Sequence, residues 1–152
     1  FINMFLYDIG VAGEEEPFKK VIHQGMITHN GAKMSKSVGN TINPDSYDPN
    51  ELRMYLMFIG HYFDGGDWDD SKIVGIKRFL TRFNAWLDKP EGTDTVDVEA
   101  FRSRLNGFVE AFKFNKVISS FMEFYNANKG KSINSVDRDA IKDMLECFAP
   151  SH

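Results

Sequence analysis

Apolar side chains recur every three or four residues along the second half of the chain, which is the spacing of amphipathic helices. This spacing predicts a helix over residues 71–88, a second that begins after Asp97, a third from Val117 and a fourth that reaches Phe148. The predicted apolar stripes are Ile73, Ile76, Phe79, Leu80, Phe83, Trp86 and Leu87; Val98, Phe101, Leu105, Phe108 and Phe112; Val117, Ile118, Phe121, Phe124 and Tyr125; and Ile141, Met144, Leu145 and Phe148. The pattern predicts a helical bundle with a core rich in phenylalanine.

The first part of the chain combines helical and extended patterns. Residues 1–9 carry apolar side chains at helical spacing and are followed by Gly10, a residue type that commonly ends a helix. Residues 20–28 are typical of a strand, and Asn30-Gly31 after them is the strongest short signal for a hairpin turn. This part therefore predicts a short helix, a strand and a β-hairpin.

A further helix is predicted where Asp48 precedes Pro49, because aspartate caps the amide groups of a helix start and proline fits the first helical position. Its predicted apolar face consists of Leu52, Tyr55, Leu56 and Ile59. Residues 61–70 contain Gly65-Gly66 and predict a loop.

This loop is the predicted boundary between a small mixed α/β segment, residues 1–60, and an α-helical bundle, residues 61–152. The predicted fold class is therefore α+β. The chain begins with Phe1 rather than methionine, and a helical pattern runs up to its last residues with no closing segment. We therefore expect it to be an internal piece of a longer protein.

Composition narrows the class of protein. Of 152 residues, 42% are hydrophobic and 26% charged, which is the balance of a folded domain. No apolar run approaches the roughly 20 residues that cross a bilayer, and one cysteine is typical of the reducing cytoplasm. No Cys/His cluster has metal-binding spacing. We predict a cytoplasmic location, no membrane association and no protein-bound metal. The net charge of −4 argues against nucleic-acid binding by bulk charge alone.

Charge is unevenly distributed along the chain. Residues 17–44 contain four lysines and no acidic residue, whereas residues 45–72 contain seven acidic and two basic residues, a net charge of −5. A basic stretch in an acidic protein favours a site for an anion; the alternative is a solvated surface on which lysines cluster by chance.

Residues 31–40, which we call the lysine loop, read Gly-Ala-Lys-Met-Ser-Lys-Ser-Val-Gly-Asn. Its glycines allow the backbone to approach a ligand, and its two serines offer hydroxyl groups to phosphate oxygens. Lys33 and Lys36 place two ammonium groups where a polyphosphate would lie. An ammonium that contacts a departing pyrophosphate more strongly in the transition state accelerates attack at an α-phosphate. The sequence contains no P-loop motif.

The run from Lys33 to Ser37, followed by Gly39-Asn40, resembles the KMSKS motif of the class I aminoacyl-tRNA synthetases. The flanking Pro17-Phe18-Lys19 and Gln24-Gly25-Met26-Ile27 are most similar to the leucyl branch of that class, and residues 68–82 resemble the entry into its helical domain. The resemblance implies that residues 1–60 are the C-terminal part of a Rossmann-type catalytic domain with the KMSKS loop. It implies that residues 61–152 are the first helices of the anticodon-binding-type domain.

The resemblance also implies roles for single residues. Lys36 would contact the ATP phosphates and stabilise the transition state of leucyl-adenylate formation, and Lys33 would support it. The implied ATP-binding residues are Lys33, Met34, Ser35, Lys36, Ser37, Gly25 and Met26, the last two through backbone groups near the adenine. Val38 departs from the pattern, because the leucyl branch commonly carries a lysine at that position.

The implied partners are those of a leucyl-tRNA synthetase: ATP with Mg²⁺, leucine and tRNA(Leu), bound by a monomeric parent enzyme. Lys77, Arg78 and Arg82, on a basic helix, are candidate contacts to the tRNA backbone, although a solvated helix face accounts for them equally well.

One part of the class I pattern is absent from the sequence. These synthetases need a His-x-Gly-His motif, and none of the four histidines, His23, His29, His61 and His152, occurs in that context. Half an active site cannot position the reactants, so we predict that the chain alone does not activate leucine. Two alternatives remain: an origin in the isoleucyl, valyl or methionyl branch, and a non-catalytic RNA-binding helical module that keeps the loop as a phosphate clamp.

Overall fold

The computed structural model describes residues 1–150, and Ser151 and His152 lie outside the described residues. In chain order its elements are α1 (Ile2–Asp8), β1 (Ile27–His29), β2 (Ala32–Lys33), a 3-10 helix (Pro44–Ser46), α2 (Pro49–Phe58), β3 (Gly66–Trp68), α3 (Asp70–Leu87), α4 (Val98–Glu110), α5 (Phe114–Asn128) and α6 (Ser135–Glu146). A small mixed α/β segment thus precedes a group of helices, as predicted. No helix in the described part of the chain is long and apolar enough to cross a membrane.

The sheet has the strand order β2-β1-β3, with β1 antiparallel to β2 and parallel to β3. Asn30 and Gly31 turn the hairpin with φ angles of +55° and +72°, as a type I′ turn requires, so the predicted hairpin is confirmed. The strand predicted over residues 20–28 was wrong at its start, because β1 covers only Ile27–His29. Its partners β2 and β3 are two and three residues long, so residues 20–26 have no strand to pair with.

The prediction that residues 61–70 form only a loop was also wrong, because β3 lies within them. Thr28 of β1 stands opposite Asp67 of β3 in the parallel register. A three-residue strand has no alternating pattern of its own, so its pairing depends on a partner that is distant in sequence. At its end, Trp68 is buried, with its ring edge-on to Tyr47 and Tyr55 at centroid distances of 5.4 Å and 4.9 Å.

Helix α3 supplies the centre of the core. All seven residues of its predicted stripe are buried, and Asp69 caps its start by accepting a hydrogen bond from the Ser71 amide. Asp97 caps α4 in the same way, as predicted. Phenylalanine rings join the helices: Phe101 of α4 is stacked on Phe124 of α5 at 4.1 Å. The bundle is therefore held by the apolar faces that its sequence period defines.

Two details of the predicted core differ from the structure. In α2, Met54 and Tyr55 are fully buried, whereas Leu56 is 40% exposed, because this helix packs against both α3 and α5. Phe112 does not continue the stripe of α4; the helix has ended, and Phe112 adopts a φ of +55° that brings its ring to 5.5 Å from that of Tyr62.

Candidate functional site

The side chain of Asn40 closes the lysine loop at its base. The Asn40 Oδ1 atom accepts a hydrogen bond from the Ser35 amide at 2.8 Å, and Asn40 Nδ2 donates to the Lys33 carbonyl at 3.1 Å. Both ends of the asparagine amide are used, one as acceptor and one as donor. The end of β2 and the exit of the loop are thereby held together.

His29 connects this base to the sheet. Its Nδ1 atom lies 3.0 Å from the Asn40 carbonyl oxygen. Because a carbonyl can only accept a hydrogen bond, the Nδ1 atom must carry the proton in this contact. The lysine loop is thus attached to the last residue of β1, directly before the hairpin turn.

Between these fixed points the loop forms a compact turn. The Ser35 carbonyl accepts hydrogen bonds from the amides of Val38 and Gly39 at 3.2 Å and 3.1 Å, and the hydroxyl oxygens of Ser35 and Ser37 lie 2.8 Å apart. Gly39 has a φ of +75°, a left-handed conformation that glycine adopts without strain. The turn therefore presents Lys36 and Ser37 at its tip.

The two lysines of the loop are exposed to solvent. Within residues 1–150, neither Lys33 nor Lys36 forms an ion pair with a carboxylate. Met34, between them, is half-buried and packs against the hydrophobic core, so it anchors the start of the loop. The structure thus exposes two ammonium groups on a turn whose base is fixed.

The hairpin itself is not free of carboxylates in three dimensions, although its sequence is. Asp67 Oδ1 accepts hydrogen bonds from the Thr28 hydroxyl at 2.6 Å and from the Gly31 amide at 2.8 Å. These two hydrogen bonds lower the pKa of Asp67. Asp67 reaches the turn because β3 pairs with β1, and it faces the hairpin turn, not the two lysines.

A second carboxylate holds the junction between β3 and α3. Asp70 Oδ1 accepts hydrogen bonds from Trp68 Nε1 at 2.9 Å and from the Tyr47 hydroxyl at 2.7 Å. The amide of Asp69 donates to the Tyr55 hydroxyl at 2.9 Å, and burial raises the pKa of Tyr55. These contacts fix the start of α3 beside the sheet.

Asp70→Asn is expected to lower the free energy of unfolding by less than about 1 kcal/mol near neutral pH, since the exposed carboxylate is screened by solvent. The bonds from Trp68 and Tyr47 lower the pKa of Asp70 from its ordinary value of 3.8. The folded chain therefore binds this proton less tightly than the unfolded chain, and the stabilisation is lost as pH falls through the lowered pKa. Urea unfolding of both proteins should show a constant difference above about pH 5 that shrinks as the pH falls through 3.8 and below it. A difference that does not shrink below about pH 5 would contradict the assignment.

Gly25 and Met26 lie against the segment before β3. The Gly25 amide donates to the Tyr62 carbonyl at 2.7 Å, and the Met26 carbonyl accepts from the Gly66 amide at 3.3 Å. A Cβ atom on Gly25 would lie 2.0 Å from the Gly65 nitrogen, so the two backbones are in direct contact. The resemblance assigned Gly25 and Met26 to the same ATP site as the lysine loop. The structure places them immediately before β1.

The three candidate tRNA contacts of α3, Lys77, Arg78 and Arg82, do not share one face. Lys77 Nζ lies 3.3 Å from Glu51 Oε1 of α2, whereas Arg78 and Arg82 form no ion pair within the described residues. Arg78 and Arg82 are one helical turn apart, and the Arg82 Nε atom donates to the Arg78 carbonyl at 3.1 Å. Arg82 borders a groove between α3 and α5. Arg78 and Arg82 form one basic surface, and Lys77 is turned towards α2.

Three residues that hold the loop and its hairpin were not among the predicted site residues: Asn40, His29 and Asp67. Asn40 has a local signal, because an amide side chain follows a glycine at the end of a tight loop. Asp67 has none, since 36 residues separate it from Gly31.

Comparison with known proteins gives a consistent result. Residues 1–69 match the family model described as tRNA synthetases class I (I, L, M and V). The chain is 37% identical to the leucine–tRNA ligase of Pseudothermotoga lettingae over 83% of its length and 36% identical to that of Malacoplasma penetrans over 99%. It is 33% identical to the leucine–tRNA ligase of Dehalococcoides mccartyi over 98%. It spans only 18–20% of the length of these curated relatives.

The family match covers the α/β segment that carries the lysine loop, and the relatives cover the helices as well. Residues 1–69 therefore form a class I aminoacyl-tRNA synthetase domain, and the chain as a whole is similar to members of that class. Within that class its similarity is to leucine–tRNA ligases, which supports the leucyl branch over the isoleucyl, valyl and methionyl alternatives. The resemblance inferred from the motif is confirmed.

Proposed function

We propose that this chain is part of a leucine–tRNA ligase, which activates leucine with ATP to leucyl-adenylate and transfers it to tRNA(Leu). The observation that carries the proposal is the exposed pair Lys33 and Lys36, which have no carboxylate partner in residues 1–150, on a turn whose base is fixed. Unpaired ammonium groups on a positioned loop are suited to the charge that develops on a departing pyrophosphate. The choice of leucine and tRNA(Leu) as substrates rests on the similarity to leucine–tRNA ligases.

In this proposal each residue of the lysine loop has a separate role. Lys36, at the tip, contacts the phosphates as pyrophosphate leaves, and Lys33, at the end of β2, supports it. Ser35 and Ser37, whose hydroxyls contact each other, shape the tip and offer donors to phosphate oxygens. Met34 anchors the loop against the core.

Gly25 and Met26 are proposed to contact the adenine through their backbone groups. The Gly25 amide and the Met26 carbonyl are engaged with the segment before β3. The Gly25 carbonyl and the Met26 amide are the groups that we assign to the nucleotide. A glycine suits this position because a side chain would collide with Gly65.

We propose that the α/β segment, predicted as residues 1–60, is the C-terminal part of the catalytic domain and that the helices within residues 61–152 begin the anticodon-binding-type domain. The pairing of β3 with β1 favours a junction immediately before α3. Arg78 and Arg82 are the proposed tRNA contacts, and Lys77, which is paired with Glu51 of α2, is a third candidate on a different face. The substrates of the parent enzyme are ATP with its Mg²⁺, leucine and tRNA(Leu), and we propose a cytoplasmic monomer.

Amino-acid-dependent exchange of pyrophosphate into ATP tests this function. The full-length enzyme that contains this chain is expected to exchange with leucine at least about a hundredfold faster than with isoleucine, valine or methionine. The 152-residue chain alone is expected to give no leucine-dependent exchange, because it lacks the His-x-Gly-His motif. Exchange that depends on one of the other amino acids would overturn the leucyl assignment. No exchange by the full-length protein would favour a non-catalytic RNA-binding module.

A further inference from the structure

We propose that Asn40 is the positioning residue of the lysine loop and that it determines where Lys33 and Lys36 can reach. This inference rests on the proposed function, because it concerns the same loop. The Asn40 side-chain amide contacts two backbone groups on the entry side of the turn, the Lys33 carbonyl and the Ser35 amide. A single side chain thereby joins the start of the loop to its exit.

The contacts of Asn40 constrain the lysines without touching their side chains. Lys33 is the last residue of β2, and its carbonyl accepts the Asn40 Nδ2 hydrogen bond. Lys36 follows Ser35, whose amide is held by Asn40 Oδ1 and whose carbonyl is held by the amides of Val38 and Gly39. Backbone groups next to each lysine are therefore held by hydrogen bonds, whereas the lysine side chains themselves are exposed. Such preorganisation reduces the conformational entropy that phosphate contact would otherwise cost.

His29 connects Asn40 to the central sheet. It donates from Nδ1 to the Asn40 carbonyl, and it belongs to β1, the central strand of the sheet. β1 follows directly after Gly25 and Met26, the residues assigned to the adenine. Asn40 and His29 together thus fix the distance between the adenine end and the phosphate end of the proposed nucleotide site.

The test compares Asn40→Ala with Asn43→Ala in the full-length leucine–tRNA ligase. Asn43 is a matched control, because its side chain also accepts a backbone amide, that of Asp45, but outside the lysine loop. Asn40→Ala is expected to lower kcat for leucine-dependent pyrophosphate exchange, per titrated active site, about tenfold. The KM for leucine and the melting temperature should stay within error. Asn43→Ala should leave all three quantities unchanged.

Two further variants separate positioning from a structural role. Asn40→Asp keeps the acceptor for the Ser35 amide and loses the donor to the Lys33 carbonyl, so we expect an intermediate kcat. His29→Ala should change kcat in the same direction as Asn40→Ala. Trypsin cleavage after Lys36, followed by mass spectrometry, should accelerate in Asn40→Ala, because the loop opens more often.

The possible results distinguish this inference from the proposed function. If Lys36→Ala abolishes exchange and Asn40→Ala changes neither kcat nor cleavage after Lys36, the positioning role of Asn40 is wrong and the proposed function stands. If neither substitution changes exchange, the proposed function fails. If Asn40→Ala lowers the melting temperature while kcat per active site is unchanged, Asn40 has a structural role only and the inference is overturned.

Discussion

Replacing Lys36 by alanine in the full-length protein that contains this chain is expected, under the proposed function, to slow leucine-dependent pyrophosphate exchange by a factor of about a hundred or more. Lys36 lies at the exposed tip of a hydrogen-bonded turn and has no carboxylate partner in residues 1–150. In the proposed function its ammonium therefore contributes mainly where charge develops on the departing pyrophosphate. The loss should fall on kcat, with the KM for leucine unchanged, since leucine does not contact this loop in the proposed site.

The chain offers a matched control for this experiment. Lys20 is an exposed lysine of the same acid-free stretch, but it lies outside the lysine loop. Lys20→Ala should leave exchange within about twofold of the unchanged enzyme, because distant surface charges are screened by salt. Equal losses in both variants would indicate a general effect of positive charge, and full activity of Lys36→Ala would remove this residue from the mechanism.

Replacing Gly65 by alanine is expected to destabilise the chain by at least about 3 kcal/mol. Gly65 has a φ of +79°, and a Cβ atom at this position would lie 2.0 Å from the Met26 carbonyl oxygen. The obstacle is backbone, which cannot rotate away as a long side chain can, so the segment before β3 must separate from residues 25–26. Urea unfolding of the 152-residue chain measures the loss.

Gly107→Ala is the control for the glycine experiment. Gly107 is in α4, and a Cβ atom there would meet no other atom within 4 Å. Alanine restricts the unfolded chain and favours the helix, so this variant should gain up to about 1 kcal/mol. The close contact between the two backbones would be contradicted if Gly65→Ala were as stable as Gly107→Ala.

Prediction from the sequence succeeded where the determining contacts are local. All seven residues of the stripe predicted for α3 are buried, and Asp48 and Asp97 cap the helices that they were expected to begin. The Asn30-Gly31 turn formed as predicted, because its positive φ angles are a property of the two residues themselves. The lysine loop could be named as a candidate site from five consecutive residues, and its ligand stays a prediction.

The candidate site was predictable only in part, because some of its contacts join residues that are distant in sequence. Lys33 and Lys36 could be named from their motif, but the residues that hold their loop could not. His29 contacts Asn40 across 11 residues of chain, and Asp67 contacts Gly31 across 36. The basic residues of α3 are close in sequence, yet Lys77 is paired with Glu51 and turned away from Arg82, and their contact with tRNA stays a prediction.

The sequence by itself determined the helices, their caps, the hairpin turn and the chemical character of the lysine loop. These follow from side-chain period and backbone preference, which act between residues about four positions apart or fewer. Only the tertiary structure decided that β3 exists, that Asp67 reaches the hairpin and that Gly25 lies against Gly65. Such contacts form only when the folded chain brings distant backbone segments together, because neither partner carries a local preference for the other.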